Sequence, residues 1–169
     1  KERILGELFK ILNLKKFINL NEDKYLKEMF SLIFPEFNNF ERLDRLKKIY
    51  NNLYIEKNII LAVLLIDEKN NHEYFAHKYN IANNIKENLS LLARDLKLSK
   101  DNKDFFEKDL EKNIYLKNKD YLINLNTINF VSDIKYKFEE FSEISRRILQ
   151  SKLHTFPIDG KYLIKNGMK

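Results

Sequence analysis

The residues best equipped for chemistry in this sequence are cations. Between Ile144 and Lys169 stand Arg146, Arg147, Lys152, Lys161, Lys165 and Lys169 against a single acid, Asp159. That end carries +5 of a formal net charge of +6, so the rest of the chain is close to neutral. A positive field concentrated at one end is the footprint of a surface that binds a polyanion, and phosphate is the usual target. Arg146, Arg147, Lys161 and Lys165 are the side chains expected to make such contacts. The same composition suits a solvated, Lys-rich tail, and charge by itself does not separate the two.

Other chemistry is poorly supplied. The chain has no cysteine, which removes thiolate nucleophiles, disulfide frameworks and thiolate metal sites and suits a reducing compartment. No Gly-x-Ser-x-Gly elbow occurs. His72-Glu73 with His77 has the residue types of a zinc site, but histidines five apart cannot share a helix face as in H-E-x-x-H. Phosphoryl or nucleotidyl transfer needs carboxylates that hold divalent metal ions and usually a small-residue loop for the triphosphate. Gly6, Gly160 and Gly167 are far apart, and neither a Gly-Ser pair nor Asp-x-Asp is present. No catalytic residue, metal site or cofactor is therefore expected on this chain.

The elements that must position the cations are helical. Apolar residues make up 44% of the chain while Gly numbers 3 and Pro 2, too little turn chemistry for many short strands. An all-α, multi-helix bundle is the expectation. Periodicity places helices over Lys1 to Asn13, with Ile4, Leu5, Leu8, Ile11 and Leu12 on one side, and over Asn21 to Phe34, with Leu26, Met29, Phe30 and Ile33 inward, stopped by Pro35. A helix from about Asn38 turns Phe40, Leu43, Leu46, Ile49, Tyr50 and Leu53 inward and Arg42, Arg45, Lys47 and Lys48 outward. Asn58 to Ile66, apolar all round, reads as a helix buried at the centre, with a strand as the alternative that its Ile and Val residues leave open. Its apolar run is too short to cross a bilayer, and no apolar leader precedes it, so a soluble, cytoplasmic chain is expected. Asp67 to His77 reads as a loop. Helices follow over Asn80 to Leu96, over Lys100 to Lys112 with Ser99 as its cap, around Tyr121, Leu122 and Leu125, and from Phe138 to about Lys152. Pro157 breaks the chain, Asp159 can cap a short basic helix, and Gly167 can end it.

Three stretches, in order, resemble the bacterial tRNA nucleotidyltransferases, the CCA-adding enzymes, and the related poly(A) polymerases. The sequence Phe156-Pro157-Ile158-Asp159-Gly160-Lys161-Tyr162-Leu163-Ile164-Lys165-Asn166-Gly167 is similar to their C-terminal signature, with Tyr162 where an acid is common. Glu2-Arg3-Ile4-Leu5-Gly6-Glu7-Leu8-Phe9-Lys10-Ile11-Leu12 resembles the helix leaving their nucleotide-binding neck. Ile33-Phe34-Pro35-Glu36 with the buried run to Ile66, and Leu96-Lys97-Leu98-Ser99-Lys100-Asp101, look like parts of their body domain.

The resemblance implies residues 1–13 as the end of the neck helix, 14–152 as a tRNA-binding helical body and 153–169 as the start of a truncated tail. Glu2, Arg3 and Glu7 become remnants of the neck, although Arg3 and Glu7 at i and i+4 also suit a simple surface ion pair. Mg and ATP or CTP are implied only for a catalytic head outside this sequence, and the implied partners are tRNA or another RNA and that head and neck. Lys97, Lys100 and Lys103 can serve solubility or touch RNA backbone. Poly(A) addition is the alternative within the resemblance. From a different class, a helical adaptor that grips another protein through a groove fits the same composition.

Overall fold

The computed structural model describes residues 2–50, 57–152 and 165. Among the described residues every regular element is helical and none is a strand. Nine α-helices follow one another there: α1 Glu2–Leu12, α2 Lys24–Ile33, α3 Arg42–Tyr50, α4 Lys57–Leu65, α5 Asn71–Tyr79, α6 Asn83–Asp101, α7 Leu110–Lys117, α8 Lys119–Ser132 and α9 Phe138–Gln150. Two 3₁₀ stretches, Lys15–Glu22 and Lys103–Phe106, join α1 to α2 and α6 to α7.

The architecture is centred on α4. The side chains from Ile59 through its last residue, Leu65, and the following Ile66 are all buried, and a helix apolar on every side requires neighbours on every side. α1, α3, α5, α6 and α8 supply them. Leu5, Leu8 and Leu12 bring α1 into the same core as the body helices. Beside α4 runs a file of rings in which Phe17 meets Phe30, Phe30 meets Phe34, Phe34 stacks on Phe37, Phe37 stacks on Phe75 and Phe34 meets Phe75 at a tilt, with centroids 5.2 to 6.3 Å apart. Such offset and edge contacts suit the ring quadrupole and add to area burial.

Several expectations are corrected. Asp67 to His77 is not a loop throughout: α5 starts at Asn71, after the Asp67 carboxylate has accepted from the Lys69 and Asn71 amides at 2.9 and 3.2 Å. Asn70 and Asn80 bracket this helix in left-handed geometry, at φ 57° and 53°, which asparagine tolerates better than most residues. Ser99 caps nothing. It lies within α6 and its hydroxyl donates back to the Leu96 carbonyl at 2.9 Å. Asn102 caps instead, accepting from the Asp104 amide at 3.0 Å, and the expected helix over Lys100 to Lys112 is divided between the end of α6, a 3₁₀ turn and the start of α7.

Arg42 and Arg45 do not face outward. Arg42 Nη1 donates to the Val63 and Ile66 carbonyls at 3.0 and 2.6 Å, and Asn39 Nδ2 donates to Leu64 O at 3.0 Å, so the end of α4 is closed by side chains of another element. Arg45 does the same for α8, donating to Phe130 O and Tyr136 O at 2.8 and 2.6 Å with its guanidinium 4.2 Å from the Phe130 ring centre. The last carbonyls of a helix have no partner within it and concentrate negative charge, so a guanidinium fork satisfies both needs. In α2, Leu26, Met29 and Ile33 face away from the core and only Phe30 is buried. Leu53 and the turn-helix expected over residues 153–168 lie outside the described residues, except Lys165, which is helical.

Candidate nucleic-acid interface

α9 positions the expected cations. Glu139 and Glu140 occupy its first turn, where negative charge complements the helix dipole, and Phe141, Ser145 and Ile148 anchor it to the body. The anchoring contact with α8 is specific. Asn126, fully buried on α8, donates to Phe141 O at 3.1 Å and Ser145 Oγ at 2.9 Å and accepts from the Tyr136 hydroxyl at 2.7 Å. Burial holds the Tyr136 hydroxyl well above the ordinary tyrosine range, reinforced by Glu140.

Arg146 and Arg147 are consecutive, so they leave the helix about 100° apart. Arg146 is exposed and forks onto Glu143, its Nη2 2.8 Å from both carboxylate oxygens, while Nη1 reaches Gln150 at 3.2 Å. It also borders an apolar groove of about 320 Å³ with Ile49, Phe138 and Leu149. Arg147 is half-buried on a neighbouring side and reaches the Glu107 carbonyl at 3.4 Å, beside α7. Lys165 is exposed, and Lys161 lies outside the described residues. No contact joins these cations into one cluster among the described residues. At the other end of the chain Glu2, Arg3 and Glu7 are all exposed, and Glu7 pairs with Lys10 at 2.9 Å instead of Arg3.

A second basic surface is brought together only by the fold. Lys100, at the end of α6, and Lys135, in the turn between α8 and α9, border one open polar groove of about 510 Å³. Asn129 and Ser132 line its floor, and the Ser132 hydroxyl is buried without a hydrogen-bond partner. Asp133 and Glu140 also border it, but they accept from the backbone amides of Lys135 and Lys137, at 2.9 and 3.4 Å. Lys97, one turn back on α6, and Lys137, two residues beyond Lys135, are exposed as well, and none of these four lysines pairs with an acid among the described residues. The crowding of Lys97, Lys100 and Lys103 was visible in the sequence. That Lys100 borders the same groove as Lys135, far along the chain, was not.

Other charges are spent on the fold. Asp95 is 0% exposed on α6 and accepts from Lys117 Nζ at 2.5 Å, Tyr121 Oη at 2.8 Å and Arg94 Nε at 3.1 Å. Burial alone would raise its pKa, but the hydrogen bonds from Lys117, Tyr121 and Arg94 outweigh it and hold the carboxyl below its ordinary value. The same burial and the Asp95 charge push the Tyr121 hydroxyl far up. Glu36 is buried and holds Lys78 at 2.6 Å, and that bond raises the lysine's pKa. Burial lowers the pKa of Arg42, against the pull of Glu41 and Asp67.

His72 and His77 do not converge, since the first is buried and the second exposed on α5. Among the described residues no group of three or more His, Cys, Asp or Glu side chains could hold a metal ion, and no helix there is long and apolar enough to cross a membrane.

Among the described residues, fold and surface thus define an all-helical bundle with exposed lysines that pair with no acid. The chain matches no family model, no curated protein and no solved structure.

Proposed function

We propose that this chain is an RNA-binding helical unit of the kind carried by CCA-adding enzymes and poly(A) polymerases, holding tRNA or a similar RNA while a head domain outside this sequence extends the 3′ end. The observation that supports it best is how the cations are divided. Arg42, Arg45, Lys78 and Lys117 are spent on carbonyls and buried carboxylates, whereas Lys97, Lys100, Lys135, Lys137 and Lys165 are exposed. A-form RNA hides its base edges in a narrow major groove and is gripped through phosphates and 2′-hydroxyls, so exposed lysines beside neutral Asn and Ser groups suit it. Arg146, Arg147, Lys161 and Lys165 remain the contacts assigned on the α9 and tail side, with Arg146 required to exchange Glu143 for a phosphate.

The test is tRNA binding measured by fluorescence anisotropy across a salt series. Affinity falls steeply with salt because counterions are released, and the slope of log affinity against log salt shrinks by about one for each phosphate contact removed. Lys100→Gln with Lys135→Gln, and separately Arg146→Gln with Arg147→Gln, each flatten that slope. A wild-type affinity indifferent to salt rejects RNA binding, and unchanged slopes in both double variants reject the residue assignments.

A second reading, a helical adaptor, is favoured by the apolar groove that Ile49, Phe138, Phe141 and Leu149 form along α9. A partner helix with apolar anchors would fill it, and such binding responds little to salt.

A further inference from the structure

α2 is built the wrong way round for a helix on the outside of a bundle. Its inner side offers Phe30, the half-buried stem of Lys27 and Ser31, whose hydroxyl returns to Lys27 O at 2.9 Å. Its outer side carries Tyr25, Leu26, Met29, Leu32 and Ile33, with Tyr25 and Leu32 each 84% exposed. Spacings of three, four and seven residues place these five on one continuous stripe. Together they leave roughly 600 Å² of apolar surface, at the upper end of what a monomer's largest patch shows. No charged residue interrupts it, because Lys24 and Glu28 lie along its flank, 3.9 Å from each other.

We propose that this stripe is the interface between two copies of the chain, joined about a two-fold axis through Met29. The positions 25, 26, 29, 32 and 33 are symmetric about 29. Antiparallel pairing therefore sets Tyr25 against the second copy's Ile33, Leu26 against its Leu32, and Met29 against itself. A two-fold interface must be self-complementary in this way. A ring opposes a branched aliphatic at both ends, and a flexible thioether fills the centre. Two copies could bury at most roughly 1,200 Å² between them, the lower end of a standard interface, which suits a reversible pair. α2 is already held against the body by the Phe17–Phe30 contact at 5.6 Å, so pairing costs no helix folding.

Sedimentation equilibrium of the full chain tests this. The expected result is a reversible species of twice the 20.5 kDa chain mass, with Leu32→Glu raising its dissociation constant at least tenfold. Leu32 is too exposed for that change to unfold the monomer, and unchanged helical circular dichroism verifies it. Because the chain has no cysteine, Met29→Cys supplies a single thiol on the axis and should oxidise to a disulfide dimer faster than Tyr115→Cys, an exposed position on α7 outside the stripe. A monomer at every concentration, a dimer indifferent to Leu32→Glu, or equal oxidation of the two thiol variants overturns the proposal.

Discussion

His72 shows how a single residue's surroundings become a pH dependence. It is buried on α5 with Nδ1 unpartnered. Burial lowers its pKa below the usual 6.5, and nearby Glu73 and Asp67 pull the other way without prevailing. The folded chain therefore holds a neutral imidazole where the unfolded chain would take up a proton. The unfolded state binds more protons between the two pKa values, so stability is complete above the unfolded value and declines as pH falls through it. Urea unfolding at pH 7.5, 6.5 and 5.5 should show a loss of up to about 1.4 kcal/mol per pH unit below roughly 6.5. His72→Leu should flatten the profile in that window. A wild type equally stable at all three pH values would remove the explanation. The Asp95 cluster acts lower down, since a carboxyl held below its ordinary pKa gives up stability only as pH falls into the acid range.

At the scale of the element, helix ends decide where the chain turns. α7 and α8 are separated by one residue, Asn118, at φ 67° and ψ 164°. That conformation is costly for any side chain, by about 1–3 kcal/mol, and glycine alone adopts it freely. Asn118 also caps α8, accepting from the Tyr121 amide at 2.9 Å. Asn118→Ala keeps the strained backbone and loses the cap, for an expected cost of about 1 kcal/mol. Asn118→Gly loses the same cap but relieves the strain, and should be neutral or stabilising. Chemical denaturation of both variants checks this, and a glycine variant less stable than the alanine one would contradict it. The same logic explains α5. His72, Phe75, Ala76 and Tyr79 have the i, i+3, i+4, i+7 spacing of a buried face. A histidine and an alanine among charged neighbours hid it from a reading that weighs only large apolar residues.

Across the whole molecule, α3 ties the bundle together with charge. Arg42 and Arg45, one turn apart, close the ends of α4 and α8, helices more than fifty residues apart in the chain. Arg45→Met keeps most of the stem's contact with Phe130 but leaves the Phe130 and Tyr136 carbonyls unpaired. A loss of about 2–3 kcal/mol is expected, since hydrogen bonds to a charged group contribute more than neutral ones and buried orphans are costly. Arg45→Lys should recover only part of it, because one ammonium cannot reproduce a planar fork. Urea midpoints with unchanged m-values would show that the loss is one of stability, and an Arg45→Met variant as stable as wild type would show the fork to be dispensable.

The all-helical class, the positions of α1, α4 and α9 within a few residues, the presence of a helix around Tyr121 to Leu125, and the central placement of the Ile59 to Ile66 run were legible in the amino-acid sequence. Apolar periodicity and scarce glycine and proline are local properties and need no partner to be read. The cationic character of Arg146, Arg147 and Lys165 was legible for the same reason. Which cations stay free was not. Arg42 and Arg45 have the spacing of a solvated face, and they turn inward because the carbonyls of α4 and α8 arrive beside them. Lys100 and Lys135 become neighbours only because α6 and α8 pack together. The outward stripe of α2 also lay beyond local reading. Periodicity finds an apolar face on a helix, but only the packing of the other helices decides whether that face meets the core.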